Sequence, residues 1–239
     1  MNVLITGGSS GLGKALVERF ANDNNNKVYF TYCQNENAAK EITDYFFNTV
    51  SIHVDYCDSS SVDEFITKIR NLDIHVLINN AYVGKPLGKH IHKTSIDEFA
   101  SAFDNNVLPL IKVTQECLSQ MRIHEFGKII NIITSAVIDV PPMGYAVYAS
   151  TKGYIRQFSK SISREYAKYN ITSNCILPDY MLTKFSKMPK FQLEEMQDAH
   201  PLKQLLKPEE VADIIYNITG MSQQLNGAEI PVNSAQHIM

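Results

Sequence analysis

Tyr148 and Lys152 stand four residues apart in Tyr148-Ala149-Ser150-Thr151-Lys152, inside a stretch, residues 145–169, whose pattern predicts a helix. An i, i+4 pair shares one helix face, so the phenol and the ammonium are neighbours. A free tyrosine, with a pKa of roughly 10, is a poor acid–base group near neutrality unless a nearby cation favours its phenolate. Lys152 is placed to be that cation. Ser135 lies thirteen residues before Tyr148 (148 − 135), just past a strand-like run at 128–133, where its hydroxyl would meet a substrate oxygen. A Tyr–Lys pair alone is usually an exposed or packing feature. The turn Thr6-Gly7-Gly8-Ser9-Ser10-Gly11-Leu12-Gly13, set between the strand-like Val3-Leu4-Ile5 and a helix opening at Lys14-Ala15-Leu16, changes its meaning. Glycines let a backbone turn tightly and approach a pyrophosphate, whose charge the helix N-terminus then meets.

Elements that would hold these residues recur along the chain. Strand-like runs at 3–5, 28–32, 50–54, 74–78, 128–133 and 172–177 alternate with amphipathic segments. That rhythm predicts an α/β fold, a parallel sheet with helices on both faces, in which the C-terminal strand edge binds ligands. The nearly continuous β-branched runs at 76–78 and 129–133 suit strands buried on both sides. The cluster Asn22-Asp23-Asn24-Asn25-Asn26 should end the first helix, and Lys207-Pro208-Glu209-Glu210 should open the last. No linker or repeat is visible, so residues 1–239 are expected to form a single domain.

Composition limits the alternatives. The 239 residues are 44% hydrophobic and 20% charged, with net charge 22 − 25 = −3 and no basic block. Nucleic acid is therefore not an expected partner. No apolar run approaches the roughly 18 residues of a membrane span. Met1-Asn2-Val3-Leu4-Ile5 has no basic region and reads as a strand entering a turn, so a cytoplasmic location is expected. Cys33, Cys57, Cys117 and Cys175 have no metal-ligand spacing and are expected to be buried, reduced thiols. His90 and His92, at i, i+2, close no metal site, and no metal is expected.

In order and spacing these motifs resemble the short-chain dehydrogenase/reductase family, in its shorter branch with a TGxxxGxG turn, over essentially residues 2–232. The resemblance implies a Rossmann-type doubly wound sheet and an NAD(P)-dependent enzyme. It places Gly7, Ser9, Ser10, Gly11, Leu12 and Gly13 on the cofactor turn, and Asp55 on the adenine. Asn79-Asn80-Ala81 looks like the NNAG element, with Asn79 and Ala81 at the cofactor. Pro178 through Thr183 is similar to PGxxxT, whose threonine holds the nicotinamide carboxamide. Asn106, Ser135, Tyr148 and Lys152 fall on the catalytic tetrad. The resemblance implies that Ser135 orients the carbonyl, Tyr148 transfers the proton, Lys152 lowers the tyrosine pKa and holds the ribose, and Asn106 positions a relay water.

Three usual glycine sites differ: Tyr82 follows Ala81, Asp179 follows Pro178, and Asn233-Ser234-Ala235 follows the last strand. These departures motivate an alternative, a non-catalytic dinucleotide-binding regulatory or scaffold protein. After the second strand no acid appears until Glu36, and Ser9, Thr31, Gln34 and Asn35 are neutral groups suited to a 2′-phosphate. NADP(H) is therefore the expected cofactor, with NAD(H) as the alternative. The substrate is expected to be a small carbonyl or alcohol, free or carrier-bound: a 3-oxoacyl thioester, a sugar or a secondary-metabolite ketone. Residues 137–145 and a substrate loop around 184–200 should line its pocket, made partly apolar by Met143, Tyr145, Met181 and Phe185. Lys184, Lys187 and Lys190 form a basic stripe there. Lys128 and Lys168 are candidates to dock an acidic carrier, although Tyr169 and Gln204 stand where arginine is expected. Helices over 104–124 and 145–169 resemble the family's subunit-contact pair, implying a homodimer or homotetramer.

Overall fold

In the computed structural model, residues 1–183 and 189–236 are described. Seven strands, β1 (Asn2–Ile5), β2 (Lys27–Tyr32), β3 (Thr49–His53), β4 (Val76–Asn79), β5 (Gly127–Ile132), β6 (Ile171–Pro178) and β7 (Glu229–Val232), form one sheet. Its order is β3-β2-β1-β4-β5-β6-β7, and every pairing is parallel. Strand order reverses direction between β1 and β4, the switch point at which such sheets open a ligand crevice.

Side-chain alternation builds two cores. Val3 and Ile5 pack with α1 (Gly11–Ala21), α2 (Glu36–Tyr45) and α8 (Pro208–Thr219) on one face. Leu4 points the other way, among residues of α3 (Ser59–Ile69), α5 (Leu108–Ile123) and α6 (Ala146–Tyr166). Both faces are covered, which is why these strands are rich in Val, Ile and Leu. The helix boundaries follow their sequence signals. Asn22 is the C-cap of α1, and α8 opens on Pro208 with Glu209 and Glu210 in its first turn.

Several expectations are revised. The stretch 104–124 is two helices, α4 (Ile96–Asn106) and α5, broken at Val107. Pro109 has no N–H to give the Asn105 carbonyl, so the ladder fails there. The segment 145–169 is α6 followed by a single 3₁₀ turn at Ala167–Tyr169. Within the expected substrate loop, α7 (Lys190–Ala199) is helical; Lys184, Phe185 and Lys187 lie outside the described residues. β7 is the strand missing from the apolar runs, because Pro231 and the half-exposed Glu229–Val232 weaken its pattern; proline is tolerated at a sheet edge. Cys117 and Cys175 are buried, but Cys33 and Cys57 are exposed, since both sit past strand ends. No helix among the described residues is long and apolar enough to cross a membrane.

Polar side chains tie the central strands from inside. Asn79 of β4 donates its amide to Thr114 Oγ1 at 3.1 Å and to Asn131 Oδ1 at 2.9 Å. Asn131 of β5 donates to Ser159 Oγ at 3.1 Å and Ser173 Oγ at 3.3 Å, linking α6 and β6. Asn131 is only 1% exposed, so truncating it strips partners from groups that water does not reach freely. Asn131→Ala is expected to cost about 2–4 kcal/mol, measured as a lowered urea midpoint with an unchanged slope. An unmoved midpoint would show that this ladder contributes nothing net.

Candidate active site

The turn after β1 and the turn after β4 are clasped together. Thr6 Oγ1 accepts the N–H of Asn80 at 2.9 Å and of Ala81 at 3.0 Å. In return the Asn80 amide donates to the carbonyls of Thr6 at 2.9 Å and Gly7 at 3.2 Å. Gly7 has φ +69°, a conformation that favours glycine, and a Cβ on Gly13 would lie 1.9 Å from the Gly7 carbonyl oxygen. The backbone thus folds tightly enough to leave a cradle. α1 starts beside it with Ser10 as N-cap, no side-chain capping bond and no acid in its first turn. Uncapped N–H groups and the positive helix end therefore face the crevice, a donor set suited to a pyrophosphate. Thr183 closes the far side, 3.4 Å from where a Cβ on Gly11 would stand. These residues fit a dinucleotide.

The tetrad residues gather beyond the same strand edge. Tyr148 and Lys152 lie on the first turns of α6, and Ser135 follows β5. The Lys152 ammonium, 4% exposed, donates to the Ile132 carbonyl at 2.7 Å, and burial lowers its pKa to about 8. It lies 6.0 Å from the Tyr148 ring centre and 5.0 Å from that of Tyr82. The rings of Tyr82 and Tyr145 stand edge to face against Tyr148, with centroids at 5.0 and 5.9 Å. Burial pushes the Tyr148 phenol above its ordinary range, against a hydrogen bond with Thr134. In this arrangement desolvation dominates the Tyr148 phenol, and the lysine is bonded to the backbone. Near neutrality Tyr148 is a protonated phenol, the form a proton donor needs. The Tyr82 hydroxyl bonds Thr151, and burial raises it to about 12.

Other sequence-predicted residues sit differently from expectation. Thr31 is 2% exposed and its hydroxyl accepts the Gly7 N–H at 2.8 Å, so it supports the turn from beneath and cannot reach a ribose phosphate. Asn35 caps α2, accepting from Ala38 at 3.4 Å. The Asn79 side chain belongs to the interior ladder, not the crevice. Its neighbour Asn80, not singled out from the sequence, does the clasping; pleat alternation after β4 is the signal that separates them. The Asn106 side chain accepts from Val83 N–H at 2.6 Å and donates to the carbonyls of Val83 at 3.2 Å and Ala102 at 3.0 Å. Its amide is spent on the loop carrying Tyr82. A cavity of about 10 Å³ bordered by Thr6, Tyr56 and Asn106 adjoins it, close to the size of one water. Asp55 accepts the Cys57 N–H at 2.8 Å just past β3; Ser9 and Ala81 lie in the turns after β1 and β4, Leu12 is buried in α1, and Pro178 ends β6. Lys128 is 4% exposed, with its ammonium on the Met221 carbonyl at 2.7 Å, so it cannot dock a carrier; Lys168 is exposed.

Comparison with known proteins agrees with this geometry. The profile described as short chain dehydrogenase matches residues 1–192. The acetoacetyl-CoA reductase of Shinella zoogloeoides is 30% identical over 241 residues, covering 98% of this chain and 97% of that protein. An NADP-dependent 3-hydroxy acid dehydrogenase of Salmonella typhi is 28% identical, covering 95% and 92%. The solved 3-ketoacyl-(acyl-carrier-protein) reductase of Brucella melitensis, complexed with NADH, superposes with a TM-score of 0.87 at 22% identity over 99% of this chain and 98% of that one. A clasped glycine turn, a tyrosine and lysine on one helix turn and a serine at the next strand end thus coincide with similarity along the whole chain, and the chain belongs to the short-chain dehydrogenase family.

Proposed function

We propose that the chain is an NADP(H)-dependent oxidoreductase that interconverts a ketone and a secondary alcohol. The observation that carries the reading is the placement of Tyr148 and Lys152 on the first turns of α6, with Ser135 just past the end of β5, at the strand edge that carries the glycine cradle. Bound NADPH supplies the hydride. Gly7, Ser9, Ser10, Gly11, Leu12 and Gly13 hold the pyrophosphate, Asp55 and Ala81 flank the adenine side, and Pro178 and Thr183 hold the carboxamide end. Lys152 binds the nicotinamide ribose, and Tyr148 delivers the proton to the carbonyl oxygen. Asn106 fixes the loop at Val83, and the adjacent cavity is where a relay water fits.

NADP(H) is favoured because no carboxylate follows β2 before Glu36, while Ser10 and Gln34 are exposed. Thr31 and Asn35 leave the list of phosphate ligands because their side chains are engaged. The burial of Lys128 weighs against a docked acidic carrier and towards a small free carbonyl. We assign the protein to a homo-oligomer built on α5 and α6, whose exposed Leu108, Ile123 and Tyr154 need cover.

Tyr148→Phe is expected to reduce turnover by ~10²–10⁴-fold with NADPH affinity retained. A measurable turnover left unchanged by the substitution would overturn the role assigned to Tyr148. In a fluorescence titration, for which a protein without tryptophan gives little background, NADPH should bind more tightly than NADH. Because a lysine is charged below its pKa, this affinity should fall as the pH passes about 8 and Lys152 loses its proton; Lys152→Met should abolish that dependence. Tighter NADH binding would reverse the cofactor assignment. Sedimentation should give a species heavier than the 27.0 kDa monomer at micromolar concentration.

A further inference from the structure

Asp179 is the departure with the most direct chemistry. It occupies a site where relatives usually have glycine, yet its φ is not positive, so the backbone does not demand glycine there. Its N–H donates to the Val232 carbonyl at 3.0 Å, which fixes it beside the end of β6. Its carboxylate Oδ1 accepts the hydroxyl proton of Ser135 at 3.0 Å. Ser135 is 5% exposed and Asp179 is half-buried, so the bond sits at the boundary between the interior and the crevice.

An ionised carboxylate accepts only, and a serine hydroxyl has a single proton. With that proton given to Asp179, Ser135 presents lone pairs to the crevice. A plain ketone oxygen, also an acceptor, gains nothing from them and draws its hydrogen bond from Tyr148 alone. A hydroxyl on the carbon beside the carbonyl would bring the missing donor to that acceptor pair.

Resting on the oxidoreductase reading above, we propose that Asp179 is a specificity-determining residue that makes the site select ketones bearing a hydroxyl on the carbon next to the carbonyl. The Ser135–Asp179 pair receives that hydroxyl while Tyr148 serves the carbonyl oxygen. The same carboxylate disfavours a substrate carboxylate in that place, because like charges repel there and neither can donate.

The test compares two matched pairs, 3-hydroxybutan-2-one with butan-2-one and 2-hydroxycyclohexanone with cyclohexanone, each reduced with NADPH by the wild type, Asp179→Asn and Asp179→Gly. The ratio of kcat/KM within a pair is independent of the fraction of enzyme that is folded. The intrinsic activation of a ketone by its hydroxyl is common to all three proteins. The wild type should prefer the hydroxylated member, and both variants should reduce that preference by about tenfold to a hundredfold, the range expected when a hydrogen bond to a charged group is removed. Asp179→Asn should also gain on the plain ketone, since its amide can donate to Ser135 and free the serine proton. A ratio unchanged by either substitution overturns the proposal and leaves the oxidoreductase reading standing. Reduction of no ketone by a wild type that binds NADPH overturns both.

Discussion

Two loops leaving neighbouring strands are held together by one hydroxyl and one amide, and the site is assembled around that clasp. Thr6 receives two backbone N–H groups from the far turn, and Asn80 returns two hydrogen bonds to the near one. All of these are backbone groups at strand ends, where the sheet no longer satisfies them. The clasp therefore meets a hydrogen-bonding requirement and fixes the crevice width in one arrangement. From it the dependence runs outward. Gly7 is pinned from below by Thr31, α1 starts in a fixed direction, and the chain beyond Ala81 carries Tyr82 to Tyr148 and Val83 to Asn106.

The buried lysine poses the opposite problem. Lowering its pKa from 10.5 to about 8 corresponds to about 3 kcal/mol of differential cost for the charged form. A charge-assisted hydrogen bond of roughly 1.5–3 kcal/mol, here to the Ile132 carbonyl, offsets much of that. The faces of Tyr82 and Tyr148 add weak cation–π attraction at 5.0 and 6.0 Å. A methionine would bury at lower cost, so stability alone does not account for an ammonium at this position. A ligand hydroxyl beside it would.

The layered sheet was legible because nearly continuous β-branched runs, alternating with amphipathic segments, reflect the burial of the strands on both faces. The glycine turn was legible because its close approaches tolerate no side chain. Which of two adjacent asparagines serves the crevice was not, since Asn79 and Asn80 differ only in the pleat face they occupy. Thr31 and Lys128 were misread for a related reason: both are polar residues buried by tertiary contacts, with Gly7 and Met221 as partners far away in sequence. Pro109, by contrast, carried a local signal for the helix break at Val107. The partnership of Asp179 with Ser135 spans 44 residues and no spacing rule anticipates it.

Tyr82 and Asp179 then converge on one consequence. Tyr82, with Tyr145, packs against Tyr148, and burial together with these neighbours disfavours its phenolate. Asp179 takes the proton of Ser135. On the proposed reading, Tyr82 packs against the tyrosine while Asp179 engages the serine proton, which would leave the hydrogen bond to the substrate oxygen to Tyr148. A site with a single donor for that oxygen tolerates less variation in substrate pose than one with two. The neighbouring acceptor pair restores the lost constraint only for a substrate that brings its own donor. What looked in the sequence like erosion of glycine motifs supplies, in the structure, new partners for Tyr148 and Ser135, the two residues on which the proposed selection depends.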